Sequence, residues 1–433
     1  MIGALPMYGV FRAAVSVIVC AAVPADAAEL STAEEKIAQF IDANAAGSNL
    51  LLEKLVDINS GTFNAAGVSQ VAQVLRPEFE ALGFKLRWIP MDEVHRAGHL
   101  VAERQGGHGK RVLLIGHMDT VFEPSSPFQK FERTGDTATG PGSQDMKGGL
   151  VVMLYSLRAL AAAGALDGTN LTVFLTGDEE RVGEPFSVAR RDLIETAKRN
   201  DVALEYEAGA RTTATIARRS ASLWHLRTTG VSAHSAGVFG DSAGSGAIYE
   251  LARILSAFHD QLREPDLTYN VSVALGGTTV TYDPKENSGT ASGKPNIVPA
   301  AAVASGDIRT LDDEQLKRMR EKMRQIVAKH LPGTSAEIAF QDQYPSMPVT
   351  PGNQRLLDQL NSVNRDLNLP AMEPLPPGRR GAGDLSFAGP YVDALSGLGS
   401  LGHGAHAPGE TIDLKSQPMQ MKRSAVLIYR LTR

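Results

Sequence analysis

Val112-Leu-Leu-Ile-Gly-His-Met-Asp-Thr120, Gly140-Pro-Gly-Ser-Gln-Asp-Met-Lys-Gly-Gly149 and Leu171-Thr-Val-Phe-Leu-Thr-Gly-Asp-Glu-Glu180 decide how this chain is read. In the first and third segments a short apolar run, the pattern of a strand buried on both faces, stops abruptly at His, Asp and Glu. Parallel strands in an open α/β sheet end at the crevice where ligands bind, so His117, Asp119, Asp178, Glu179 and Glu180 are expected to converge there. So many acids around an imidazole repel one another unless some take up protons or a cation lies among them. A divalent metal, or a pair of them, removes the conflict.

Working outward, Ser31 to Asn59 has helical periodicity, with Ser31 and Glu34 as a capping box. Val68 to Leu82 repeats it, strands are expected at Phe84–Ile89 and His99–Arg104, and Lys147–Ala163 reads as an apolar helix closed by Gly164. Leu171–Thr176, Ser187–Asn200 and Val202–Glu207 continue the alternation as strand, helix, strand, so the sheet is mainly parallel. From Ser220 the pattern changes. Leu223–Thr229, Asn270–Ala274 and Ala300–Arg309 read as strands and Ser245–Leu262 and Asp312–His330 as amphipathic helices, which together make an α+β insert.

The expected organisation is therefore an α/β catalytic domain over 29–219 and 336–433, interrupted by a lid or dimerisation domain over 220–335. At 433 residues, two domains fit the length. The net charge of −5 leaves no basic excess to neutralise phosphates, which argues against nucleic acid as a partner. At the N-terminus, Arg12, the apolar run Ala13–Val23 and Pro24-Ala-Asp-Ala-Ala28 read as a signal peptide over 1–28. The run is too short for an ordinary membrane helix, so a periplasmic or secreted protein with no stable span after processing is expected. Cys20, the only cysteine, would leave with that segment, excluding disulfides and thiolate metal sites from the mature chain.

With these segments laid out, the chain resembles the M20 family of zinc-dependent peptidases, nearest its glutamate carboxypeptidase-like branch. The resemblance rests on His-x-Asp after a strand, Gly-Pro-Gly-x-x-Asp-Met-Lys-Gly-Gly, a strand ending Asp-Glu-Glu, and Gly404-Ala-His-Ala-Pro-Gly-Glu410. It implies two Zn2+ per chain, with Co2+ or Mn2+ able to substitute. His117 and Glu207 would hold one ion, Glu180 and His406 the other, and Asp145 would bridge them. Glu205, two residues from Glu207, and His403 remain alternatives for two of these places. Imidazole with carboxylate oxygen is a normal ligand set for zinc, and a bridged pair suits hydrolysis.

Asp119 lies on the same side of an extended chain as His117 and is expected to accept its imidazole proton. Glu179 beside Glu180 is the natural general base. The resemblance further implies that His234 stabilises an oxyanion, from the other subunit of a homodimer joined through the lid, and that Asn296, Arg309 and Gly383 recognise substrate. It also implies a cis Asp145–Met146 peptide. Gly378-Arg-Arg-Gly-Ala-Gly-Asp384 lacks the strand and the Lys-Ser/Thr of a phosphate cradle, and its double arginine is unusual for the branch.

The expected function is release of a C-terminal amino acid, glutamate foremost, from a small peptide or N-acyl amino acid. An aminoacylase, dipeptidase or deacetylase on the same scaffold is the alternative, and a non-catalytic binding module the remote one.

Overall fold

The computed structural model describes residues 29–433, so the expected signal peptide lies outside the described residues. No helix among them is long and apolar enough to cross a membrane. Six strands form the main sheet, in the spatial order Lys85–Met91, Arg96–Arg104, Thr169–Thr176, His108–His117, Val202–Glu205, Asp393–Ser396. The last four run parallel and the first two pair antiparallel at one edge.

Both faces of the central strand are buried. Val112 and Leu114 join a core with Leu154, Leu157, Val426 and Ile428 on one side, and Leu113 and Ile115 join Phe174, Leu193 and Phe387 on the other. Burial of alternate residues on opposite faces is why the segment reads as one continuous apolar run.

The first helix, Thr32–Val56, opens with the expected capping box: Ser31 N–H donates to Glu34 Oε2 at 2.7 Å. The helix Lys147–Ala162 ends at Gly164, whose φ of 67° is the left-handed conformation that closes it. The single helix expected over Ser187–Asn200 is two, Phe186–Ala189 and Arg191–Ala197, broken at Arg190. The break turns that guanidinium into the interior, where it is wholly buried between Asp178 and Asp384.

The insert is an antiparallel sheet in the order Thr268–Tyr269, Ala301–Arg309, Ala221–Gly230, Thr334–Tyr344, with Val273–Gly277 also on Ala301–Arg309. Helices Ala247–Gln261 and Asp313–Val327 pack on it through Ile254, Phe258, Met319 and Met323 against Trp224 and Leu226. The boundary expected at 335 falls inside Thr334–Tyr344, which pairs along Ala221–Gly230, so the insert's sheet runs to Tyr344. A hairpin, Thr279–Asp283 with Ser288–Ser292, lies outside the expected elements because only Val280 and Tyr282 give it a half-buried apolar face, and Ser288–Ser292 is exposed throughout.

Candidate active site

The parallel strands deliver His117 and the Asp178–Glu180 turn to the same edge of the sheet, as their chain ends require. His117 is buried, and its Nε2 lies 3.2 Å from Asp145 Oδ1 and 3.4 Å from Glu207 Oε1. His406 Nε2 lies 3.1 Å from Asp145 Oδ2 and 3.0 Å from Glu180 Oε2. The two oxygens of Asp145 thus face two different imidazoles, which is the disposition of a bridging carboxylate. His406 has a φ of 66°, unusual for a non-glycine residue and a mark of functional constraint. The Asp145–Met146 peptide is cis, as expected.

This donor set fits a pair of divalent cations on its own chemistry. His117, Asp145, Glu179, Glu180 and Glu207 supply ligand atoms within 4.8 Å of one another in overlapping groups. Glu180 Oε1 is buried with no hydrogen-bond partner from the protein, which leaves its lone pairs free for an ion.

Without a cation, the carboxylates of Asp145 and Glu180 hold the His406 imidazolium proton, raising that group to about 11. Burial favours a protonated Asp145, but the two imidazoles outweigh it and hold the carboxyl well below its usual range. A cation must therefore displace protons. Loading the metal-free protein with zinc near pH 8 is expected to release protons, read with a pH indicator in weak buffer. His406 keeps its proton at all pH values below about 11, so affinity should weaken by about tenfold per pH unit for each proton displaced as pH falls.

Asp119 organises the site chiefly through backbone contacts. Its Oδ1 accepts from Glu179 N at 3.0 Å, and its Oδ2 from Glu180 N at 3.1 Å and Thr62 Oγ1 at 2.6 Å. His117 Nδ1 lies 3.0 Å from the Asp119 backbone carbonyl and 3.4 Å from Asp119 Oδ1. The Asp119 carboxylate thus stands beside the imidazole, as expected, while also holding the Glu179–Glu180 turn. Asp178 does not join the cluster: it points inward to Arg190 Nη1 at 2.6 Å.

Glu179 lies beside Glu207, and burial followed by that neighbouring charge pushes its carboxyl well above the usual range. Gly383 backs it. A side chain there would come within 3.1 Å of Glu179 Oε1 and 3.0 Å of Arg218 Nη1.

Of the alternative ligands, Glu205 is spent on Arg218 Nη2 at 2.5 Å and on the backbone N–H of Leu385 at 2.8 Å. The strand ends at Glu205, which frees Glu207 to turn towards His117. His403 is exposed on the cleft rim.

His234 and Asn296 stand together on the insert, joined where Ser235 N–H donates to the Asn296 carbonyl at 2.9 Å. His234 is exposed and outside the cleft that holds the cluster. Arg309 pairs with Asp307 at 2.8 Å.

Residues that motif reading left unassigned complete the site. Glu410 accepts from the backbone N–H groups of Gly142, Gln144 and Asp145 at 3.0, 2.7 and 2.8 Å, so it sets the loop that carries Asp145. Its place at the end of His-Ala-Pro-Gly-Glu was the available signal. Arg380, with Nη2 3.5 Å from Glu207 Oε2, belongs to the double arginine that already stood out in the sequence, whereas Arg218, buried under Glu205, had no such signal.

The profile of Peptidase family M20/M25/M40 matches residues 113–431. Carboxypeptidase G2 of Pseudomonas sp. (strain RS-16) is 28% identical over 400 residues, covering 88% of each chain. Succinyl-diaminopimelate desuccinylase of Acidiphilium cryptum is 27% identical over 278 residues, covering 62% of this chain and 69% of its own. A dinuclear metal-binding M20 peptidase from Bacillus subtilis superposes with a TM-score of 0.61 at 14% identity, covering 90% of this chain and 99% of its own, and shares the fold. The profile spans most of the chain and includes His117, Asp145, Glu179, Glu180, Glu207 and His406, so this protein belongs to peptidase family M20/M25/M40.

Proposed function

We propose that the protein is an exported zinc carboxypeptidase that hydrolyses the amide bond to a C-terminal amino acid, glutamate foremost, in small peptides or N-acyl amino acids. The observation that carries this reading is Glu179 seated among the His117, Asp145, Glu180, Glu207 and His406 donors at the sheet edge. Similarity to Carboxypeptidase G2 along 88% of the chain supports the leaving group.

His117 with Glu207, and His406 with Glu180, would each hold one Zn2+, with Asp145 shared between them. Bound there, zinc supplies Lewis acidity to the scissile carbonyl and makes water more acidic. Glu179 takes the proton from the attacking water and passes it to the leaving amine. Asp119 keeps Glu179 and Glu180 in register by binding both backbone N–H groups.

Asn296 and Arg309 on the insert hold the carboxylate of the leaving amino acid. His234, exposed on the insert, meets the developing oxyanion across a homodimer interface.

The test is release of free amino acid from a panel of N-acyl amino acids and dipeptides by protein as isolated, chelated, and reloaded with zinc. Cleavage of glutamate amides that disappears on chelation and returns with zinc is the expected result. Full metal loading with no amide in the panel cleaved would overturn the reading.

A further inference from the structure

The cleft at the cluster has a volume of about 450 Å3 and is lined by the carboxylates of Asp145, Glu179 and Glu207 and by the guanidiniums of Arg218, Arg379 and Arg380. The three cations are not equivalent. Arg218 is buried and committed, with Nη2 on Glu205 and Nη1 donating to the Gly381 carbonyl at 2.7 Å. Arg380 is 23% exposed and reaches only Glu207 Oε2, at 3.5 Å. Arg379 is exposed on the cleft and has no carboxylate partner among the described residues.

The loop that carries Arg379 and Arg380 is set in place before any ligand arrives. Pro376 and Pro377 lead into the turn Pro377–Arg379, the Arg379 N–H donates to the Pro376 carbonyl at 2.9 Å, and the Arg218 guanidinium clamps Gly381 from below. Consecutive guanidiniums repel each other unless an anion lies between or beside them. A carboxylate fits the planar fork of arginine with two parallel hydrogen bonds. Preorganised donors of this kind lose little ordering entropy on binding.

We propose that Arg379 and Arg380 receive a second carboxylate of the substrate, carried on its acyl portion. The preferred substrates are then dianionic amides, with one carboxylate on the leaving amino acid and another at the far end of the acyl group. This rests on the carboxypeptidase reading above, under which the leaving group's carboxylate is held by Asn296 and Arg309 on the insert. The arginine loop belongs to the other domain, and so serves the other end of the substrate.

The test compares kcat/KM for N-glutaryl-glutamate and N-pentanoyl-glutamate, whose acyl chains are equal in length and differ by a carboxylate in place of a methyl group. Wild type is expected to prefer the glutaryl amide by about ten- to a hundredfold, the range for a hydrogen-bonded charge. Arg379→Ala should cut that ratio about tenfold, mainly through KM, and Arg379→Ala with Arg380→Ala should bring it near one, with metal content unchanged. Calorimetric binding of glutarate against pentanoate to the zinc-loaded protein is the second readout, and the glutarate preference should weaken in Arg379→Ala by the same factor.

An unchanged ratio in fully metal-loaded variants, or equal glutarate binding by wild type and Arg379→Ala, would overturn the proposal and leave the carboxypeptidase reading intact. Glutarate binding that depends on Arg379, in a protein that cleaves neither amide, would support the arginine site and sink the carboxypeptidase reading.

Discussion

Glu179→Gln is expected to lower kcat by about 10²–10⁴-fold while the protein stays folded and keeps its metal, the range typical for loss of a positioned general base. The amide matches the carboxylate in shape, so Gly383, which backs this side chain, need not move. It cannot take a proton from water. The backbone N–H of Glu179 still donates to Asp119, so neighbouring Glu180 stays aimed at His406. A metal analysis beside the rate separates the two ways of failing. Loss of turnover with metal retained is the signature of a base, whereas parallel loss of both would make Glu179 a ligand.

Arg190→Ala is expected to cost about 3–5 kcal/mol of stability, the largest structural effect of any single change in the site, measured by denaturant unfolding. Arg190 is fully buried and holds Asp178 Oδ1 at 2.6 Å and Asp384 Oδ1 at 2.7 Å, while Thr176 Oγ1 donates to Asp384 Oδ2 at 2.5 Å. Removing the guanidinium leaves two buried carboxylates facing each other with no cation between them. Asp178 directly precedes Glu179, and Asp384 directly follows Gly383, so the same ion network sets both walls around the proposed base. Activity should fall together with stability. An Arg190→Ala protein as stable as wild type would show that the network has little structural weight.

The metal-ligand residue types were legible because they interrupt apolar strands. His117, Glu179 and Glu180 end runs that only a doubly covered sheet would bury, and the structure places all of them at one sheet edge. Glu207 against Glu205 was ambiguous on alternation alone, since residues two apart share a face of a strand. The structure separates them because the strand stops at Glu205 and Arg218 binds that carboxylate.

Asp178 misled for the same reason that Glu179 informed. Both are acids at a strand end, and only the break in the helix at Arg190 sends one of them inward. Thr334–Tyr344 does alternate, with Ala336, Ile338 and Phe340 packed against the insert's core, but its position after Leu331-Pro-Gly333 assigned most of it to the returning catalytic domain. Contacts such as Glu410 with the Gly142–Asp145 loop join residues more than 260 positions apart, so the His-Ala-Pro-Gly-Glu motif marks Glu410 without naming its partners.

The proposed chemistry depends on a pair of cations bridged by Asp145. Its most direct test is metal stoichiometry per chain, by elemental analysis after zinc loading and gel filtration, for wild type and Asp145→Ala. Two zinc ions are expected in wild type and at least one should be lost in Asp145→Ala, because both oxygens of that carboxylate face the two imidazoles. A wild type that binds at most one ion, or an Asp145→Ala protein that keeps two, would contradict it.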